Sequence, residues 1–171
     1  LDILVIHAVC SQARFVSKAD GLAWPLLGWL IRGAGTLCIE RERRRDAMRV
    51  LHQVAESLRC GDSVAVFPEG TTGDGETLLP FHANLLQAAI VSGVPVQPVV
   101  LRFAEPGLAV SPAAAWVGET TLLQSLWAIA NAEAMVVHLS VLAPQASRHA
   151  DRRALAASVR EMIADELARQ Q

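Results

Sequence analysis

Apolar, β-branched segments alternate with amphipathic ones along the whole chain, and this alternation restricts the fold more than any other feature. Arg14–Lys18, Gly35–Ile39, Ser63–Phe67, Val94–Phe103 and Ala134–Leu142 read as strands. Between them lie helical patterns. Ala47, Val50, Leu51, Val54, Ala55 and Leu58 recur with helical spacing on one apolar face, and Gly61 stands where a C-terminal cap belongs. Phe81–Val91 reads as a helix ended by Ser92-Gly93, and Thr120–Ala132 as another containing Trp127. Asp151 can cap a last helix whose apolar face is Leu155, Val159, Ile163 and Leu167. Leu1–Cys10 has the composition of a buried helix. Strands that take turns with helices predict a single-domain α/β sandwich: a mixed, largely parallel sheet flanked by helices. The 171 residues are enough for one such domain with a real core.

In sheets of this kind, chemistry gathers beyond the carboxyl ends of the strands. Three polar groups fall there: Lys18, Arg41 and Glu69. Glu69 is the most pointed of them. The strand Val64–Phe67 stops at Pro68, and the acid is followed by a turn, Gly70-Thr71-Thr72-Gly73-Asp74-Gly75, holding three glycines. By itself this is either a ligand-binding carboxylate at the rim of a sheet or a turn acid that caps the next segment. Arg41 is either an anion-binding guanidinium or one solvated charge beside Arg43, Arg44 and Arg45; Lys18 is either a site residue or a surface lysine. A phosphate cradle for a nucleotide is disfavoured, because the glycine turn lacks a following Lys-Ser/Thr and opens no helix.

The net charge of −2 leaves no basic footprint for nucleic acid. Cys10, Cys38 and Cys60 are widely spaced with no metal spacing, as for reduced cysteines of a cytosolic protein. No metal site is expected. No run reaches the ~18 continuous apolar residues of a membrane span. Gly21–Ile31, with Trp24, Trp29 and a central Pro25, is either a packed, kinked helix or a surface that dips into a membrane. The chain opens with Leu1 inside an apolar run, so 1–171 is read as a domain truncated at its N-terminus, with any membrane anchor outside it.

The order of segments, Phe15-Val16-Ser17-Lys18 through Glu40-Arg41, then Phe67-Pro68-Glu69-Gly70-Thr71, then Val94–Leu101, resembles the glycerophospholipid acyltransferase family, the enzymes that acylate lysophosphatidic acid and related lysolipids. The match runs from about Asp2 to Phe103 and continues more weakly to the end. The resemblance implies acyl transfer from acyl-CoA or acyl-carrier protein to a lysolipid hydroxyl, with no metal or redox cofactor. A histidine general base takes the hydroxyl proton as the oxygen attacks the thioester carbonyl. A carboxylate on the other ring nitrogen fixes the tautomer and steadies the imidazolium. Asp2 matches that carboxylate. The matching histidine would stand five residues earlier, ahead of Leu1, and His7 lies on the wrong side of Asp2 to replace it. His52, His82, His138 and His149 are read as structural.

The same resemblance makes Arg41 the contact to the acceptor phosphate, for which a guanidinium fork is suited. Glu69 and Gly70 become the acceptor-binding acid and glycine, with Thr71 and Thr72 beside them. Pro95 falls in the block that shapes the donor and acceptor site, and Lys18 in a position to meet phosphate or donor. Many lysophosphatidate acyltransferases carry Arg where this chain has Thr72; a charged hydrogen-bond partner contributes ~1.5–3 kcal/mol where it is made. The Thr-Thr-x-Asp-Gly form is closer to the branch that acylates lyso-ornithine lipid. The expected activity is acylation of lysophosphatidic acid to phosphatidic acid at the cytoplasmic face of a bacterial inner membrane. The alternatives are acylation of lyso-ornithine lipid and a non-catalytic lipid-binding module.

Overall fold

The computed structural model describes residues 1–18, 37–39, 44–118 and 120–170. A first helix, α1 (Asp2–Val9), turns through Ser11-Gln12 into β1 (Ala13–Lys18), with the Ala13 amide donating to Cys10 O at 3.0 Å. Next come β2 (Leu37–Ile39), α2 (Arg44–Arg59) and β3 (Ser63–Ala65). A 3₁₀ turn, Ala83–Leu86, leads directly into α3 (Gln87–Ser92), then β4 (Val99–Ala104), α4 (Leu122–Asn131), β5 (Val136–Val141) and α5 (Arg152–Arg169). The expected α/β class is observed.

The described strands form two sheets. β1 is central, with β2 and β3 both parallel to it; Val16 pairs Leu37, and Ala13 pairs Ser63. β4 and β5 form an antiparallel pair in which Arg102 stands opposite His138. The parallel sheet is covered by α2, because the apolar stripe of that helix meets it. Val50, Val54 and Ala55 are buried with Ala88 of α3, and Val16, Leu51, Leu58 and Val64 pack around them. Each such aliphatic side chain contributes roughly 1.5–3 kcal/mol on full burial. Gly61 ends α2 as its position suggested: with φ +90 it takes the left-handed conformation, and the Asp62 amide reaches back to Ser57 O at 3.0 Å. A second cluster joins Leu86 to Leu155, Ala156 and Val159 of α5, with Phe81, Val96 and Ile163 at its edge.

Several expectations are corrected. α1 is a helix, but none of its residues is buried, and Leu4 and Val9 are 62% and 66% exposed. Its apolar residues are spread around the helix with Asp2 and His7 among them, so its composition gives it no preferred inner face. β3 ends at Ala65, because the chain leaves the ladder and closes a turn in which the Gly70 amide donates to Phe67 O at 3.1 Å. The expected Phe81–Val91 helix starts as 3₁₀ at Ala83 and becomes α-helical only at Gln87. Val94–Pro98 stays outside the ladder apart from a bridge between Val96 and Gln145, as two prolines without amide hydrogens require. Gly21–Ile31 lies outside the described residues. Among the described residues no helix is long and apolar enough to cross a membrane.

Candidate active site at the carboxyl edge of the parallel sheet

Three parallel strands bring their carboxyl ends to one edge. Lys18 ends β1 there, opposite Ile39, and the chain that leaves β3 at Ala65 reaches Glu69 four residues later. The register places Ala65 opposite Phe15, three residues before the end of β1, and the Glu69 loop departs from there. Lys18 and Glu69 therefore belong to the same rim. Arg41 lies outside the described residues.

The loop from Pro68 to His82 is closed at its base, where the His82 amide donates to Pro68 O at 2.8 Å. It is a compact surface loop of the kind that carries function on a rigid support. Its interior is built from hydrogen bonds. Glu69 is half-buried, and its Oε2 accepts from the Leu79 amide at 2.9 Å. The carboxylate thus does bind a later backbone amide, as a turn acid would, and one of its two oxygens is used to do so. Asp74 folds the tip: its Oδ1 accepts from the amides of Glu76 and Thr77 at 2.9 and 3.0 Å. The Thr77 amide first, and the Glu76 amide with it, hold the Asp74 carboxyl below its ordinary range. Gly75 has φ +80, and a Cβ there would stand 3.2 Å from Val110 Cγ1, so the turn needs a glycine. Gly70, at φ +70, is also left-handed. The Trp116 amide holds Gly73 O at 3.3 Å.

This scaffold leaves Thr71 and Thr72 exposed beside Glu69, with no side-chain hydrogen bond among the described residues. Hydroxyls and a carboxylate at a sheet rim, next to a left-handed glycine, can receive the polar head of a ligand. Pro95 is exposed on the link between Gly93 and the Val96–Gln145 bridge, and no described hydrogen bond ties that link to the Glu69 loop. Asp2 is the exposed first residue of α1, at the end of that helix remote from its turn into β1. A carboxylate in the first helical turn is favoured by the helix dipole.

One participant was not foreseen. Arg160, on α5, donates from Nη2 to Leu78 O at 2.6 Å and from Nε to Leu79 O at 3.1 Å. It joins the last helix to the loop that holds Glu69. The available signal was its place four residues after buried Ala156 and next to buried Val159, a flank of the core face where an arginine needs a partner.

The sequence model of the family described as Acyltransferase matches residues 1–102, and the chain belongs to that family. It is 38% identical over 162 residues to a lyso-ornithine lipid O-acyltransferase of Pseudomonas aeruginosa, covering 95% of this chain and 62% of the relative. It is 37% identical over 166 residues to a 1-acyl-sn-glycerol-3-phosphate acyltransferase of Neisseria meningitidis, covering 95% of this chain and 64% of the relative. The chain therefore spans a little under two thirds of the length of these relatives. The crystal structure of the 1-acyl-sn-glycerophosphate (LPA) acyltransferase PlsC from Thermotoga maritima superposes with a TM-score of 0.59 at 20% identity, over 92% of this chain and 56% of that one, and shares its fold.

Proposed function

We propose that the protein moves a fatty acyl group from a thioester donor, acyl-CoA or acyl-carrier protein, to the free hydroxyl of lysophosphatidate, giving phosphatidate. The observation that carries this reading is the Glu69 loop: a half-buried carboxylate with one oxygen on the Leu79 amide, flanked by exposed Thr71 and Thr72 at the carboxyl edge of a parallel sheet. Membership in the Acyltransferase family over residues 1–102 supports it. Glu69 holds polar groups of the acceptor, and Gly70 lets backbone come close to it. Arg41 takes the phosphate, with Lys18 on the same rim for phosphate or donor. Pro95 shapes the site from the link before β4.

The acceptor oxygen forms a bond to the acyl carbon as the carbon–sulfur bond breaks. A general base takes the hydroxyl proton and passes it to the departing thiolate. Asp2 orients that base. The chemistry needs no covalent acyl-enzyme and no metal. An acceptor that resides in lipid places the reaction at a membrane surface, and a CoA or carrier-protein donor places it on the cytoplasmic face.

A second reading, acylation of lyso-ornithine lipid, is favoured by Thr72. A threonine there brings no cation to a phosphate, and the Pseudomonas aeruginosa relative bears that activity in its name. The test is acyl transfer by the full-length protein with lysophosphatidate and lyso-ornithine lipid side by side. Phosphatidate formation is expected, and it should fall when Arg41 is replaced by alanine. Acylation of lyso-ornithine lipid alone would overturn the first reading in favour of the second, and no acylated product from either would overturn both.

A further inference from the structure

Glu69 and Arg160 are 91 positions apart, yet they grip the two ends of one peptide group. The peptide between Leu78 and Leu79 gives its N–H to Glu69 Oε2 at 2.9 Å and its C=O to Arg160 Nη2 at 2.6 Å. The next carbonyl, Leu79 O, takes Arg160 Nε at 3.1 Å. From this geometry we infer that Arg160 is the positioning residue for the acceptor-binding carboxylate. The inference rests on the assignment of Glu69 to the acceptor.

A cation on the carbonyl draws electron density towards oxygen and makes the N–H of the same peptide a stronger donor, so the two hydrogen bonds reinforce each other. One end group is a carboxylate and the other a guanidinium, which makes each bond charge-assisted. Arg160 uses two nitrogens of one rigid fork on consecutive carbonyls, and this fixes the orientation of the peptide plane as well as its position. Glu69 Oε2 is thereby committed to a fixed donor, and the carboxylate plane is set by it. The helix that supplies Arg160 is anchored in the core through Leu155, Ala156 and Val159. The acceptor site is thus indexed to α5, outside the residues 1–102 that match the family. A lysine would bring the charge but not the fork.

The test is a double-substitution cycle in the full-length protein, read as affinity for lysophosphatidate in mixed micelles and as KM for the acyl donor. Arg160→Ala should weaken acceptor affinity about tenfold, the scale of one charge-assisted hydrogen bond, and leave the donor KM unchanged. Arg160→Lys should recover only part of the loss. In a Glu69→Ala background, Arg160→Ala should add no further loss, because Arg160 acts through Glu69. An Arg160→Ala effect that multiplies with that of Glu69→Ala, or that raises the donor KM equally, overturns the inference while leaving the acceptor role of Glu69 intact. If Glu69→Ala itself leaves acceptor affinity unchanged, the site assignment falls and the inference with it. If Arg160→Ala does not fold, Arg160→Lys decides: full wild-type affinity overturns the inference, and a partial loss confined to the acceptor supports it.

Discussion

Two glycines in the same loop should respond oppositely to alanine. Gly75 sits at φ +80, and the added methyl would lie 3.2 Å from Val110 Cγ1. An L-residue in the left-handed region costs about 1–2 kcal/mol. Displacing the valine side chain by a few tenths of an ångström adds up to about 1 kcal/mol. Gly73 has no left-handed φ, and no atom lies within 4 Å of the Cβ it would gain. There the methyl only restricts the unfolded chain, which stabilises by about 0.4–1 kcal/mol. The two variants should therefore differ by roughly 1.5–4 kcal/mol, or about 5–12 °C in Tm for a chain of this size. Thermal unfolding by circular dichroism measures the gap. Acceptor KM should also rise for Gly75→Ala, because the strained turn passes its displacement to Asp74 and the threonines. Equal Tm values for the two variants would show that the turn is not built as described.

Other outcomes follow from the same structure. Phe15, fully buried in β1, should cost about 3–5 kcal/mol when replaced by alanine, read as a lower urea midpoint with an unchanged slope. Thr72→Arg should shift the ratio of lysophosphatidate to lyso-ornithine lipid acylation towards lysophosphatidate by about tenfold, the scale of a charged hydrogen bond; an unchanged ratio would remove Thr72 from headgroup selection. Asp74 and Asp151 both have carboxyls lowered by backbone amides, Thr77 then Glu76 for the first, Ala154 then Arg153 for the second. A depressed acid stabilises fully above its unfolded pKa, near 4, and that stabilisation is lost as pH falls through the lower folded value. The urea midpoint should therefore drop below about pH 4, and less steeply when both residues are asparagine.

Much of the fold was legible because its elements obey simple periods. The stripe on α2 and the cap at Gly61 emerge as read, and so does the Asp151 cap, whose Oδ1 accepts from the Arg153 and Ala154 amides at 2.9 Å. Thr121 and Gln124 form a reciprocal cap at the start of α4, one position into the helix expected from Thr120. What could not be read depends on contacts far apart in sequence. Leu1–Cys10 told of a helix, but its evenly spread apolar residues could not say how much of it is covered. Glu69 stood out by its setting, at a strand end before a glycine turn. The amide it binds and the arginine behind that amide did not, because a backbone donor has no sequence signature and Arg160 is marked only by its place on the flank of the last helix's apolar face. Arg102 is similar. It reads as one polar residue in an apolar strand, yet it is only 6% exposed and donates from Nη2 to Leu167 O at 2.9 Å, tying β4 to α5.

The central claim is that Glu69 holds the acceptor at the edge of the parallel sheet. Steady-state acyl transfer by Glu69→Ala, with lysophosphatidate and acyl donor varied in turn, tests it most directly. Loss of one charge-assisted hydrogen bond, about 1.5–3 kcal/mol, predicts that kcat/KM for the acceptor falls roughly ten- to hundredfold while the donor KM stays near wild type. Wild-type kcat/KM for the acceptor in a folded Glu69→Ala protein would contradict the claim.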